Sequence, residues 1–138
     1  MLSLQERLSI SEALSDRGEH EAALAQLSDL RTGLSPSDAA HLHLVQGSII
    51  ARSGRLQDAL TELRMAEALA NAGSRVDVAL EVEVTRASIH AALGEYTRAI
   101  PLMTRAIRAL ASHPELAELH RDAVAELESY QQLFASRS

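Results

Sequence analysis

The sequence predicts an all-α repeat protein of about seven helices, and three observations carry that expectation. Glycine recurs in matching company in "RGEHEAAL", "SGRLQDAL" and "LGEYTRAI", where Gly18, Gly54 and Gly94 stand 36 and 40 residues apart and each precedes an Ala by five positions. Apolar side chains follow the helical period on both sides of each glycine. Self-similarity at a period of roughly 20 to 50 residues marks architectures in which one small unit is stacked on the next. The unit here is helix, glycine turn, helix.

Each element has a local reason. Ser3 and Glu6 form a capping box that opens a helix over about 4–17, since the serine hydroxyl takes the N–H three residues on and the glutamate reaches back. Past Gly18 a second helix runs over about 19–32, with Gly33 where a left-handed cap would close it. Ser35 and Asp38, with Pro36 at the first helical position, open a third over about 36–53. The fourth covers about 55–72 and is closed by Gly73, again as a left-handed cap. Ser74 and Asp77 open the fifth, about 75–93. There "VDVALEVEV" alternates apolar and charged residues as a half-buried strand would, but a lone strand has no sheet to join, and Leu80, Val84 and Ala87 keep the helical spacing. The sixth, about 95–112, contains Pro101, close enough to its first turns to limit the damage of a missing N–H. Ser112 and Glu115 open the last, about 114–135.

At 138 residues the chain reads as one domain over 1–138, with repeats at about 4–33, 36–73 and 75–112 and a capping helix at about 114–135. Cysteine is absent, which excludes disulfides and thiolate chemistry, and no window approaches the ~18 apolar residues of a membrane span. A cytoplasmic location is the expectation. The net charge of −6, with thirteen scattered Arg and no Lys, argues against nucleic acid as a partner, because phosphate-backbone binding needs clustered cations, and the lack of an apolar run leaves no membrane partner expected.

These residues resemble the tetratricopeptide repeat family. The third unit matches best, with Ala87 at the small position of its first helix, "GEYTRAI" at the turn, and Met103 and Ala106 continuing the packing pattern. The second supplies Gly47, Gly54, Ala59, Leu63 and Ala66, and the first supplies Ser11, Gly18, Ala23, Leu27 and Leu30. The family's aromatic residues and closing proline are mostly missing, and both spacings exceed its usual unit of about 34 residues. The resemblance implies a right-handed superhelical stack of antiparallel helix pairs whose first helices line a concave groove. In that family the groove receives a segment of a partner protein. Carried over unit by unit, the groove positions are Ser9, Glu12 and Asp16, then His41, Val45, Ser48 and Arg52, then Glu81, Thr85 and Ser88.

Function is therefore expected to be binding: a scaffold or adaptor for a protein or peptide, with no enzyme activity, cofactor or metal. A small acidic secretion chaperone is the alternative that the resemblance allows. A structural homo-oligomer is another, because Leu127, Tyr130 and Phe134 fall on one stripe of the last helix and would serve as self-association anchors. The last helix as a lid on the third unit's core is the plainer reading of the same stripe. The histidines lack ligand spacing: His41 and His43, two apart on a helix, point to different faces, and His90 shares its repeat position with Leu14 and Ile50.

Overall fold

A computed structural model describes residues 2–30 and 32–137. The described residues form seven α-helices and one 3-10 turn: α1 (Leu4–Asp16), α2 (His20–Ala25), α3 (Pro36–Arg52), α4 (Leu56–Ala72), α5 (Val76–Ala92), α6 (Tyr96–Leu110), the turn Pro114–Leu116, and α7 (Ala117–Ser136). The fold is all-α. None of these helices is long and apolar enough to cross a membrane. The chain divides into two compact units, Met1–Ala79 and Leu80–Ser138.

The three repeated turns share one geometry. Gly18, Gly54 and Gly94 adopt φ of 81°, 93° and 79°, the left-handed region that costs a residue with a Cβ about 1–2 kcal/mol. Around each, the next residue's N–H returns five positions, from Glu19 to the Leu14 carbonyl, Arg55 to Ile50 and Glu95 to His90. The glycine N–H returns three positions, to Ser15, Ala51 and Ala91. This pair of bonds satisfies carbonyls that a helix end leaves without a partner. The three alanines five residues on, Ala23, Ala59 and Ala99, are fully buried, as are Leu27, Leu63 and Met103 four residues later.

Capping follows the sequence in α1 and α3 but not in α5 and α7. The Ser3 and Glu6 box forms in both directions, at 3.1 and 3.2 Å, and Ser35 accepts the Asp38 N–H at 3.1 Å. Ser74, expected to cap α5, instead takes φ of 56°, and Asp77 is held by Arg75 through two 2.9 Å bonds. Gly73 is not the left-handed residue expected there: its φ is −93°. Ser74 stands in the glycine's place, with its N–H on Asn71 and the Arg75 N–H on Ala70, the same bonding as the other three turns. At α7, Pro114 opens a 3-10 turn, Pro114–Leu116, with no side-chain cap from His113 before it, so the α-helix begins at Ala117 rather than at 114.

The second helix is far shorter than its apolar pattern predicts, because competitors take its carbonyls. Leu27 donates to Leu24 rather than to Ala23, and the freed Ala23 carbonyl accepts the buried Ser11 hydroxyl at 2.7 Å. Arg7 takes the Gln26 carbonyl at 3.3 Å and pairs with Asp29 at 2.6 Å, while the Ser28 hydroxyl turns back on Ala25. Short polar side chains that bond nearby backbone offer it an alternative to the helix. Gly33 is left-handed, with φ of 77°, but lies well past the helix end it was expected to cap.

The first unit's core contains Leu8, Ala23, Leu27, Leu42, Val45 and Ile49. The second unit's contains Leu80, Val84, Ala87 and Ala91 from α5, Ala99, Met103, Ala106 and Leu110 from α6, and Ala123 and Tyr130 from α7. The strand-like stretch in α5 is helical, as expected, and its alternation has a cause. Two residues along a helix turn through about 200°, so alternate positions lie on opposite faces. Leu80 and Val84 face this core, while Val78 and Val82 are buried on the other side of the same helix with Ile89.

Candidate partner-binding surface

On the first unit, the row carried over from the repeat frame is polar and mostly open. Ser9, Glu12 and Asp16 are exposed along α1. On α3, Arg52 is exposed and His41 and Ser48 are half-buried. Arg52 donates to Asp16 at 3.1 Å, which joins the two helices at their C-terminal ends with both side chains largely in solvent. Val45 is a correction: only 5% exposed, it belongs to the apolar core and offers nothing to a groove. Its β-branched side chain gave no sign in sequence of which side of α3 it would favour.

His41 is the titratable centre of this row. Burial holds its pKa below the ordinary 6.5, with the Arg75 cation acting in the same direction and Glu12, Asp77 and Asp38 opposing. Arg75 is itself fixed by Asp77 and by the Ser37 hydroxyl at 2.9 Å, and its bonds draw the Asp77 carboxyl below its usual range. Burial favours neutral imidazole in the fold, so the unfolded chain binds the proton first. Stability is therefore unaffected above about pH 6.5 and falls as pH drops from there through the folded value. Urea denaturation at pH 7.5 and 5.5 is expected to show a smaller acid loss for His41→Gln than for the parent; equal losses would exclude His41 as their source.

In the second unit, the groove positions are differently placed. Glu81 is exposed, Thr85 turns its hydroxyl back to the Glu81 carbonyl at 2.8 Å, and Ser88 is covered by α7. The Ser88 hydroxyl lies 2.9 Å from a Glu126 oxygen and 3.2 Å from the Val84 carbonyl. Tyr130 Oη lies 3.1 Å from Ser88 Oγ and 3.1 Å from the same Glu126 oxygen. Burial pushes the Tyr130 phenol up to about 12, so it remains a donor at any physiological pH. Sequence reasoning missed Glu126, although a carboxylate four residues before a tyrosine on one helical face was a usable signal.

Most of the stripe on α7 turns inward, as its plainer reading as a lid on the core implies. Tyr130 is 8% exposed, and Leu127 packs on the core with Leu116 and Leu119. Phe134 is 42% exposed, but its ring lies 6.5 Å from that of Tyr96, which in turn lies 6.3 Å from Tyr130. Arg137 sits 5.3 Å from the centre of the Tyr96 ring and donates to the Gly94 carbonyl at 3.2 Å. All three aromatic side chains of the protein thus meet where α7 ends against the "LGEYTRAI" turn. Tyr96 serves the docking of the last helix as well as its own helix pair.

Among the described residues no three His, Asp or Glu side chains come together as a metal site. His43 and His41 do face different ways: His43 Nδ1 lies 2.7 Å from Glu62 on α4. His90 is buried, as its repeat position implied, with Nδ1 2.7 Å from Glu95. One cleft of about 310 Å³ opens beside α7, lined by Glu81, Glu115, Leu116, Glu118, Leu119 and Asp122. Glu115 is held below the ordinary carboxylate range, first by its own backbone N–H, so it is charged at neutral pH and has no proton to give. Compared with protein-family models, with curated proteins and with solved structures, the chain matches none.

Proposed function

We propose that this protein is a binding scaffold of the tetratricopeptide kind, and that a segment of a partner protein lies along the polar row of α1 and α3. The observation that carries the reading is the Asp16 and Arg52 pair, flanked by Glu12, His41 and Ser48. It places both signs of charge and a hydroxyl side by side on adjacent first helices, in solvent. A backbone segment needs donors and acceptors together, and an exposed ion pair yields to a partner at little cost because it contributes only about 0.2–1 kcal/mol. The three-fold recurrence of the turn geometry supports the same reading.

Partner capture from the native cell, repeated with charge variants, tests it. Arg52→Glu places a second carboxylate beside Asp16 and is expected to weaken the captured partner at least tenfold, with a thermal melt displaced by no more than an exposed charge change gives. Arg105→Glu makes the same charge change on an exposed position of α6 and is expected to leave affinity unchanged. Equal affinities for the two variants would overturn the assignment of this row.

A further inference from the structure

We propose that the solvent face of α6 is a second interaction surface, one that takes a short acidic segment of a partner protein in extended form. Arginines that lie apart in the sequence are gathered by this helix. Arg98, Arg105 and Arg108 stand at i, i+7 and i+10, which places them on one stripe about 15 Å long. The opposite side of α6 carries Ala99, Met103, Ala106 and Leu110 into the core, so the stripe points to solvent, and all three arginines are exposed. Two features set these cations apart. Arg7, Arg17, Arg52, Arg55, Arg75 and Arg121 each lie 2.6 to 3.7 Å from a carboxylate. The three on α6 have no carboxylate partner among the described residues, in a chain with 19 acidic side chains against 13 basic ones. In addition α6 contains no Asp or Glu, whereas each of the other six α-helices has one in its first turn. Arg98 occupies that turn instead, where the helix end already carries partial positive charge. Glu95, just before the helix, is engaged by His90 at 2.7 Å.

Charge and shape together select the occupant. A guanidinium is a planar fork that meets a carboxylate through two parallel hydrogen bonds, and an arginine with no partner of its own has both to offer. In an extended chain alternate side chains share one side, so acidic residues at i, i+2 and i+4 cover about 13 Å, close to the length of the stripe. The other exposed residues of this face, Thr97, Pro101 and Ala109, are small. They offer no ring on which a nucleic-acid base could stack and no large apolar side chain to enter a bilayer. A net charge of −6 also repels a long polyanion, whereas a short segment meets chiefly the three cations. The chemistry of the partner is thereby stated: a segment of five or six residues with carboxylates at alternate positions. It is a different segment from one held along α1 and α3, where both signs of charge are on offer.

The probe is a labelled peptide of four Glu-Ser pairs, titrated into the full chain at low salt, where exposed charges are least screened, with the Gln-Ser peptide as its uncharged counterpart. The parent is expected to bind the acidic peptide at least tenfold more tightly than the neutral one. Arg98→Gln, Arg105→Gln and Arg108→Gln combined are expected to abolish that preference. Arg17→Gln, Arg64→Gln and Arg121→Gln remove the same charge from exposed positions elsewhere and are expected to keep it. Equal losses in the two triple variants, or no preference in the parent, would overturn the proposal. So would tighter binding of a single-stranded oligonucleotide or of phosphatidylserine vesicles that the α6 variant alone loses, since the face would then belong to a polyanion. A parent that dimerises where the α6 variant does not would overturn it as well, by assigning the stripe to a second copy's carboxylates. Arg52→Glu is expected to leave peptide affinity unchanged and Arg105→Glu to weaken it, the reverse of their effects on a segment held by α1 and α3, so the two surfaces fail separately. Should the α6 triple variant fail to fold, Arg105→Gln alone is expected to weaken the acidic peptide at least threefold, and an unchanged affinity there would be equally decisive against the proposal.

Discussion

Leu63→Ala is expected to lower the stability of the protein by about 2–5 kcal/mol, toward the upper end of what a buried leucine costs. Leu63 is fully buried, and across from it stands Gly47, where an added Cβ would lie 3.1 Å from the leucine Cδ2. The cost of such a truncation depends on how far the surroundings relax into the cavity. A glycine wall has no side chain with which to do so, and the α3 backbone behind it is held by its own hydrogen bonds. Urea midpoints with an unchanged slope would measure the loss. The pair Gly47→Ala and Leu63→Ala sharpens the test, because the methyl is crowded beside leucine but fills the space left by alanine. The two changes are expected to couple favourably, by about 0.5–3 kcal/mol. Additive losses would show that the two residues do not share a packing contact.

The same contact explains why so much of the architecture was legible. Gly47, Ser11 and Ala87 were identified as the small residues of three first helices, and all three are buried. Turn glycines were legible for a related reason: a left-handed position excludes most side chains, so the requirement is written directly at Gly18, Gly54 and Gly94. What was not legible depends on residues distant in the chain. The early end of α2 involves Ser11, twelve residues before Ala23, and Arg7, nineteen before Gln26, and no local propensity records that competition. Tyr96 lies in the best-preserved turn, yet its two ring partners come from α7 and its cation from Arg137 just past that helix, more than thirty residues later. The same holds for the proposed binding row. Its positions followed from the repeat frame, but Val45 went to the core and Ser88 went under α7, outcomes decided by what covers each helix.

Gly73 and Ser74 give the second large effect, and with opposite signs at adjacent positions. The sequence pointed to Gly73 as the left-handed cap of α4; in the fold that conformation belongs to Ser74, at φ of 56°. Gly73 is needed for a different reason, since a Cβ there would lie 2.8 Å from the Ser37 backbone nitrogen and 3.0 Å from its Cα. Those atoms belong to the first turn of α3, which the Ser35 cap and Pro36 hold in place, so no flexible side chain can give way. Gly73→Ala is therefore expected to destabilise the protein by about 1–3 kcal/mol, as overpacking against a fixed wall does. Ser74→Gly removes the strain of a side chain in the left-handed region and is expected to stabilise by about 1 kcal/mol, less what the more flexible unfolded chain takes back. If Gly73 were instead the left-handed cap, Gly73→Ala would still be harmful but Ser74→Gly would gain nothing. A rise in melting temperature for Ser74→Gly is thus the result that separates close approach from backbone conformation as the reason for the glycine.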